Sequence, residues 1–188
     1  MPSIALAIIF GLNTYIAQTM SPQKALFILA WLFINTAVIP VLFTAFLKWK
    51  GMISSIQLHT RKDRLLPFAF AMFLYFMNYY LMKGLPMPQV IYAVFLGISL
   101  IATSAFILTF YTKISLHMLG MGGLTATVYG FSQIYDLESL ALLLGIVMLS
   151  GIVGTARSFL GAHTLNQIYG GWLFGFLLVY IPINLGWG

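Results

Sequence analysis

The sequence predicts an all-α fold, a polytopic bundle of six to seven membrane-spanning helices forming one domain over residues 1–188, and three observations point there. Of the 188 residues, 61% are hydrophobic and only 6% charged, against roughly 25% charged in a soluble domain. Mean hydropathy is +0.99. Apolar runs of about 18 to 25 residues recur along the whole length, each near the ~20 needed to cross hydrocarbon as a helix. A secretory leader before a soluble domain would give one such run, not a series.

Runs closed by polar residues, Gly or Pro give seven candidates in order, at about 3–19, 25–47, 66–83, 88–112, 115–133, 138–156 and 165–185. The first is short and carries Asn13 and Gln18, which suits a half-buried or interfacial helix. One long polar loop, Lys48 to Arg64, separates the second from the third. GLPMP within Lys83 to Pro88 suits a tight antiparallel connection. No linker or low-complexity segment divides the chain, and no repeat is evident beyond this hairpin rhythm. With no cysteine there is no disulfide, thiolate nucleophile or thiolate-held metal.

Two crossings return a chain to the same face. LKWKGMISSIQLHTRKDRLLP, then TKISLH two spans later, then ARSFLGAH two spans after that, therefore emerge together. His59, His117, His163 and most of the cations gather on one side, whereas Lys24, Lys83, Asp136 and Glu138 give the other side little net charge. The overall charge of +6 in a chain with little wetted surface points to the bilayer and to anionic lipid or phosphate as partners, not nucleic acid.

Gln167, Gly171 and Gly175 follow His163 at steps of four and share one helix face. An amide that can hold the imidazole and two small residues permitting close helix approach thus form a stripe facing the bundle. For the glycines alone, plain helix packing is sufficient. Arg157, at the end of the preceding span, could be an interfacial anchor by itself, but other cations and histidines share its face. Lys113 and His117 repeat the theme at another helix start, where Ser115 can cap the helix and free N–H groups suit a phosphate oxygen. Arg61, Lys62 and Arg64 supply further cations ahead of the third span.

Cations of this kind bind phosphate and stabilise the charge that develops during its transfer. One neutral histidine can attack phosphorus, and a protonated one can give its proton to the departing alcohol. Metal-dependent hydrolysis is disfavoured, since Asp63 is the only acid on that face. No cofactor is implied.

Arg157, five residues, His163, three residues, Gln167 resembles the third signature of the type 2 phosphatidic acid phosphatase superfamily, which reads Ser-Arg, five residues, His, three residues, Asp. ISLH at Ile114 to His117 resembles the second, Pro-Ser-Gly-His, and RKDRLLP occupies the place of the first, Lys, six residues, Arg-Pro. The resemblance covers roughly residues 57 to 180. It implies His163 as the nucleophile forming a phosphohistidine, His117 as the acid for the leaving group, and Arg157, Ser115 and Arg64 as phosphate ligands. Gln57 stands where the first signature has lysine, so Arg61 or Lys62 would supply that cation. Ala156 replaces the serine, Ile114 and Leu116 replace Pro and Gly, and Gln167 replaces the aspartate that orients the nucleophile. A glutamine carbonyl still accepts the ring N–H, but being neutral it stabilises the imidazolium less.

A phosphate on a lipid head group, with its tails in the bilayer, is the substrate most easily reached. Phosphatidate, phosphatidylglycerol phosphate, prenyl phosphates or diphosphates, and lipid A phosphates all fit. Setting the five candidate site cations aside, Lys48 and Lys50 balance Lys24 and Lys83, so topogenic charge gives no orientation. The resemblance implies a bacterial inner membrane with the site facing the periplasm. Two other classes remain at this stage: a degenerate relative that binds or moves anionic lipid, and a haem protein with His117 and His163 as axial ligands. GMGG at Gly120 to Gly123 reads as helix packing, not a nucleotide loop, and aspartate-rich prenyl transfer lacks its acids.

Overall fold

The computed structural model describes residues 2–12, 21–58, 60–112 and 114–187, and among them there are seven helices and no strand. They are α1 (Pro2–Gly11), α2 (Pro22–Trp49, with a π-helical turn at Ile34–Val38), α3 (Arg61–Lys83), α4 (Gln89–Leu108), α5 (Leu116–Tyr135), α6 (Leu140–Phe159) and α7 (Leu165–Asn184). Four are long and apolar enough to cross a membrane: α2, α3, α4 and α6. The chain is an all-α bundle with the make-up of a membrane protein.

α5 and α7 are as long as α4 and α6 but less uniformly apolar, and for α5 its position explains why. α5 is the inner helix, with thirteen buried residues, and α7 makes the closest packing in the bundle with it. A helix shielded by protein on several sides needs less hydrocarbon on its surface than one facing lipid. The seam is built on glycine. A Cβ on Gly122 would lie 1.9 Å from the Trp172 carbonyl oxygen, and one on Gly175 would lie 2.1 Å from that of Leu119. A Cβ on Gly171 would lie 3.3 Å from both Met118 Cβ and the Ser115 carbonyl oxygen, tighter than ordinary contact. Gly171 and Gly175 of the stripe therefore do face the bundle, and Gly122 and Gly123 of the GMGG run pack against α7.

Of the first candidate, the described part is α1, ten residues and about 15 Å long; Asn13 and Gln18 lie outside the described residues. One element departs from the sequence expectation. α3 begins at Arg61, capped by Thr60, whose Oγ1 accepts from the Asp63 N–H at 3.2 Å. Arg61, Lys62, Asp63 and Arg64 thus form a helical turn where a loop was expected. The capping threonine three residues before the acid is the reason.

The main apolar cluster, which includes Leu6, Ile9, Tyr79, Met82 and Ile91, lies toward the end where α3 joins α4. There Gln89 Nε2 donates to the Gly186 carbonyl at 2.6 Å, tying the start of α4 to the end of α7. Trp31 Nε1 donates to Asn78 Oδ1 at 3.0 Å and pins α2 to α3 inside the bundle. The opposite end is hollow.

Candidate active site

At that hollow end, a cavity of about 610 Å3 collects residues from six separate segments. Arg64 comes from the start of α3, His117 from the start of α5, Arg157 from the end of α6 and His163 from the turn between α6 and α7. Thr109 and Thr112 follow α4, and Gln57 and Leu58 come from the strap between α2 and α3. No carboxylate is among the described lining residues, so two guanidinium groups set the sign of the field. Of the residues that parity gathers on one face, Arg64, His117, Arg157 and His163 line this one cavity.

The turn carrying His163 follows from its sequence. The Gly161 N–H donates to the Ser158 carbonyl at 2.9 Å and the Ala162 N–H to the Arg157 carbonyl at 3.2 Å. These two bonds form a Schellman cap, which needs a left-handed residue just past the helix, here Gly161 with φ +60°. The cap reverses the chain over the last turn of α6. Five residues between Arg157 and His163 are what this reversal requires to put both side chains on one cavity wall.

His163 immediately precedes Thr164, the N-cap of α7. The Thr164 side chain accepts from the Gln167 N–H at 3.4 Å, and Gln167 Oε1 accepts from the Thr164 N–H at 3.2 Å, a reciprocal capping box. That second bond fixes which end of the amide points back. The same Oε1 lies 3.3 Å from His163 Nδ1. A carbonyl oxygen only accepts, so the contact selects the tautomer with its proton on Nδ1 and leaves a lone pair on Nε2. Gln167 thus caps the helix and orients the imidazole with one atom, although it does not line the cavity itself.

Arg157 is partly buried, and its Nε has no hydrogen-bond partner. A buried guanidinium N–H left unmatched is costly and suits an oxyanion that arrives from outside. Arg64 Nε donates to the Leu58 carbonyl at 2.8 Å. Leu58 adopts a left-handed backbone, φ 55°, which a branched side chain takes up only at a cost; held there, its carbonyl meets Arg64.

Asp63 anchors the strap. Its Oδ1 accepts from the Ser54 N–H at 2.9 Å and its Oδ2 from the Ser54 hydroxyl. These bonds, the hydroxyl's first, hold the carboxyl below its ordinary pKa at the polar end of α3, ahead of the apolar run that begins at Leu65. Asp63 is a structural acid committed to Ser54. Among the described residues no three His, Cys, Asp or Glu come together as metal ligands.

Three expected ligands are elsewhere. Ser115 is the N-cap residue of α5, but its side chain makes no capping bond; the hydroxyl is fully buried, unpartnered and outside the cavity lining. The close approach of α7, where Gly171 sits against the Ser115 carbonyl, encloses it. Arg61 is exposed and reaches the Tyr111 carbonyl at 3.5 Å, and Lys62 is exposed; neither lines the cavity. Their directions follow from the helical turn, which aims successive side chains about 100° apart. Lys113 and His59 lie outside the described residues. Thr109, Thr112 and Leu58 are lining residues with no warning in the sequence beyond their place at segment ends.

Comparison of the chain with protein-family models, with curated proteins and with solved structures gives no match.

Proposed function

We propose that this cavity is the active site of a metal-independent phosphatase acting on lipid phosphates, similar in its chemistry to the type 2 phosphatidic acid phosphatases. The observation that carries the reading is the meeting of His163, His117, Arg157 and Arg64 in one acid-free cavity, with His163 held by Gln167. The cavity sits at the polar end of an apolar bundle, within reach of a lipid head group.

In the first half-reaction, Arg157 and Arg64 hold the phosphate oxygens, and His163 Nε2 attacks phosphorus as the ester P–O bond breaks. His117 gives its proton to the departing alkoxide, so an alcohol leaves and a phosphohistidine remains. Phosphate bound beside His117 favours the protonated imidazole at that moment. In the second half-reaction neutral His117 takes a proton from water, the water oxygen attacks phosphorus, the P–N bond breaks, and inorganic phosphate departs. Transfer to another alcohol would share the first half. The resemblance places the opening on the outer, periplasmic side of a bacterial inner membrane.

A second reading, a protein that binds lipid phosphate without turning it over, is favoured by the neutral Gln167 and by the Ser115 hydroxyl lying outside the cavity. The test is phosphate release from a panel of lipid phosphates by purified protein in EDTA, with and without vanadate. Release that survives the chelator and is blocked by vanadate supports the enzyme. Chelator-sensitive release contradicts the metal-free mechanism, and binding with no release selects the second reading.

A further inference from the structure

A second cavity, about 220 Å3 in volume, adjoins the first, and its lining is almost wholly apolar. Phe68 and Leu116 belong to both walls, so the two hollows are neighbours across these two side chains. From Leu116 the second cavity follows α5 past Gly120 to Thr127, about 16 Å at 1.5 Å per residue, or half the ~30 Å hydrocarbon thickness. Phe68, Ala71 and Tyr75 of α3 run down its other side. Ala102 of α4 faces it from a third helix, and Pro2 and Ala5 of α1 line it from a fourth. The Thr127 hydroxyl at the far end is already bonded to the Gly123 carbonyl at 2.8 Å, so that end asks for no polar guest. Spread over about 16 Å, that volume leaves the hollow narrow. It is also smaller than the ~300 Å3 at which pockets for whole drug-sized ligands begin. One hydrocarbon chain fits, and two side by side do not.

We propose that this cavity receives the hydrocarbon chain of the substrate and makes the protein selective for phosphates carried on a single chain over those of two-chain lipids. The inference rests on the polar cavity being the phosphate site. The chain would pass between Phe68 and Leu116, with its phosphate among Arg64, Arg157 and His163. A chain leaving the bilayer for this cavity exchanges one apolar medium for another, so the gain is selection by shape and not hydrophobic affinity.

The test is native mass spectrometry of the full chain in detergent with three probes: dodecyl phosphate, dihexanoyl phosphatidate and inorganic phosphate. Wild type should hold dodecyl phosphate about tenfold more tightly than the two-chain probe. Ala102→Leu and Ala71→Leu fill the cavity from different helices and should each remove that preference, about a tenfold loss, while inorganic phosphate still binds. Should one variant lose inorganic phosphate as well, its fold is at fault and the other decides. Equal binding of both lipids by wild type, or a preference that survives both fillings, overturns the proposal. Phosphate release is followed in parallel. A chain preference without release leaves the cavity's role standing and removes the enzyme; release without a chain preference does the reverse.

Discussion

Two stretches of α5, about a turn and a half apart, are packed in opposite ways. At Leu116 and His117 the helix borders a cavity of about 610 Å3, whereas at Gly122 a single methyl group would come within 1.9 Å of the α7 backbone. The contrast shows how a hollow site is kept in register. His117 belongs to α5 and His163 leads into α7, so the glycine seam between these helices sets the separation of the two imidazoles. Backbone against backbone leaves no flexible side chain to absorb a shift, and the open end inherits the precision of the closed one.

The contrast is tested most severely at Arg157, where site and scaffold are expected to pull apart. Arg157→Met removes the phosphate clamp and should lower phosphate release by about 10²- to 10³-fold. It also removes a buried, unmatched N–H, and should raise stability by about 1 kcal/mol, read as a higher midpoint in thermal unfolding. Equal stability with full activity would show that Arg157 is an interfacial anchor. From the closed side, Gly122→Ala should cost about 3 kcal/mol, because the clash is with backbone. Its activity should fall further than the folded fraction does, since the seam spaces the histidines. An unchanged unfolding midpoint would contradict the packing.

A smaller effect is expected at Gln167. Gln167→Ala loses the capping box and the ring contact together and should reduce turnover about 10- to 100-fold. Gln167→Glu keeps the acceptor, adds charge beside the imidazolium, and should match or exceed wild type; a glutamate variant as poor as alanine would show that the amide's N–H₂ matters instead. The smallest effect is a pH dependence of the strap. The folded-state pKa of Asp63 is lowered by Ser54, so its contribution to stability is full above the unfolded value of about 3.9 and is lost as pH falls through the folded value. Protection of the amides at residues 52–58, relative to their intrinsic exchange rates at each pH, should therefore fall below about pH 4 in wild type and be low already at pH 7 in Asp63→Asn. Protection independent of pH in wild type would mean the Asp63–Ser54 bonds do not hold the strap.

Much of the bundle was legible because lipid imposes one rule on every span, and counting crossings then puts segments far apart in sequence on the same face. Arg157, His163 and Gln167 were legible because their spacing is local, set by one Schellman cap and one capping box. What sequence could not show depends on how helices meet. Ser115 has the residue type and position of a capping phosphate ligand, but the approach of α7 encloses its hydroxyl. Arg61 and Lys62 carry the right charge, yet the helix that starts beneath them turns both away from the cavity. The apolar cavity has no signature at all, since Ala71, Ala102 and Gly120 matter there by leaving space.

The most direct measurement is to quench the protein during turnover of a ³²P-labelled single-chain phosphate and map the label. A base-stable, acid-labile phosphate on His163, missing in His163→Ala and accumulating in His117→Ala when water attack is slowed, is the expected result. Phosphate released at the wild-type rate by His163→Ala, or a label on another residue, would contradict the assignment of His163 as the nucleophile.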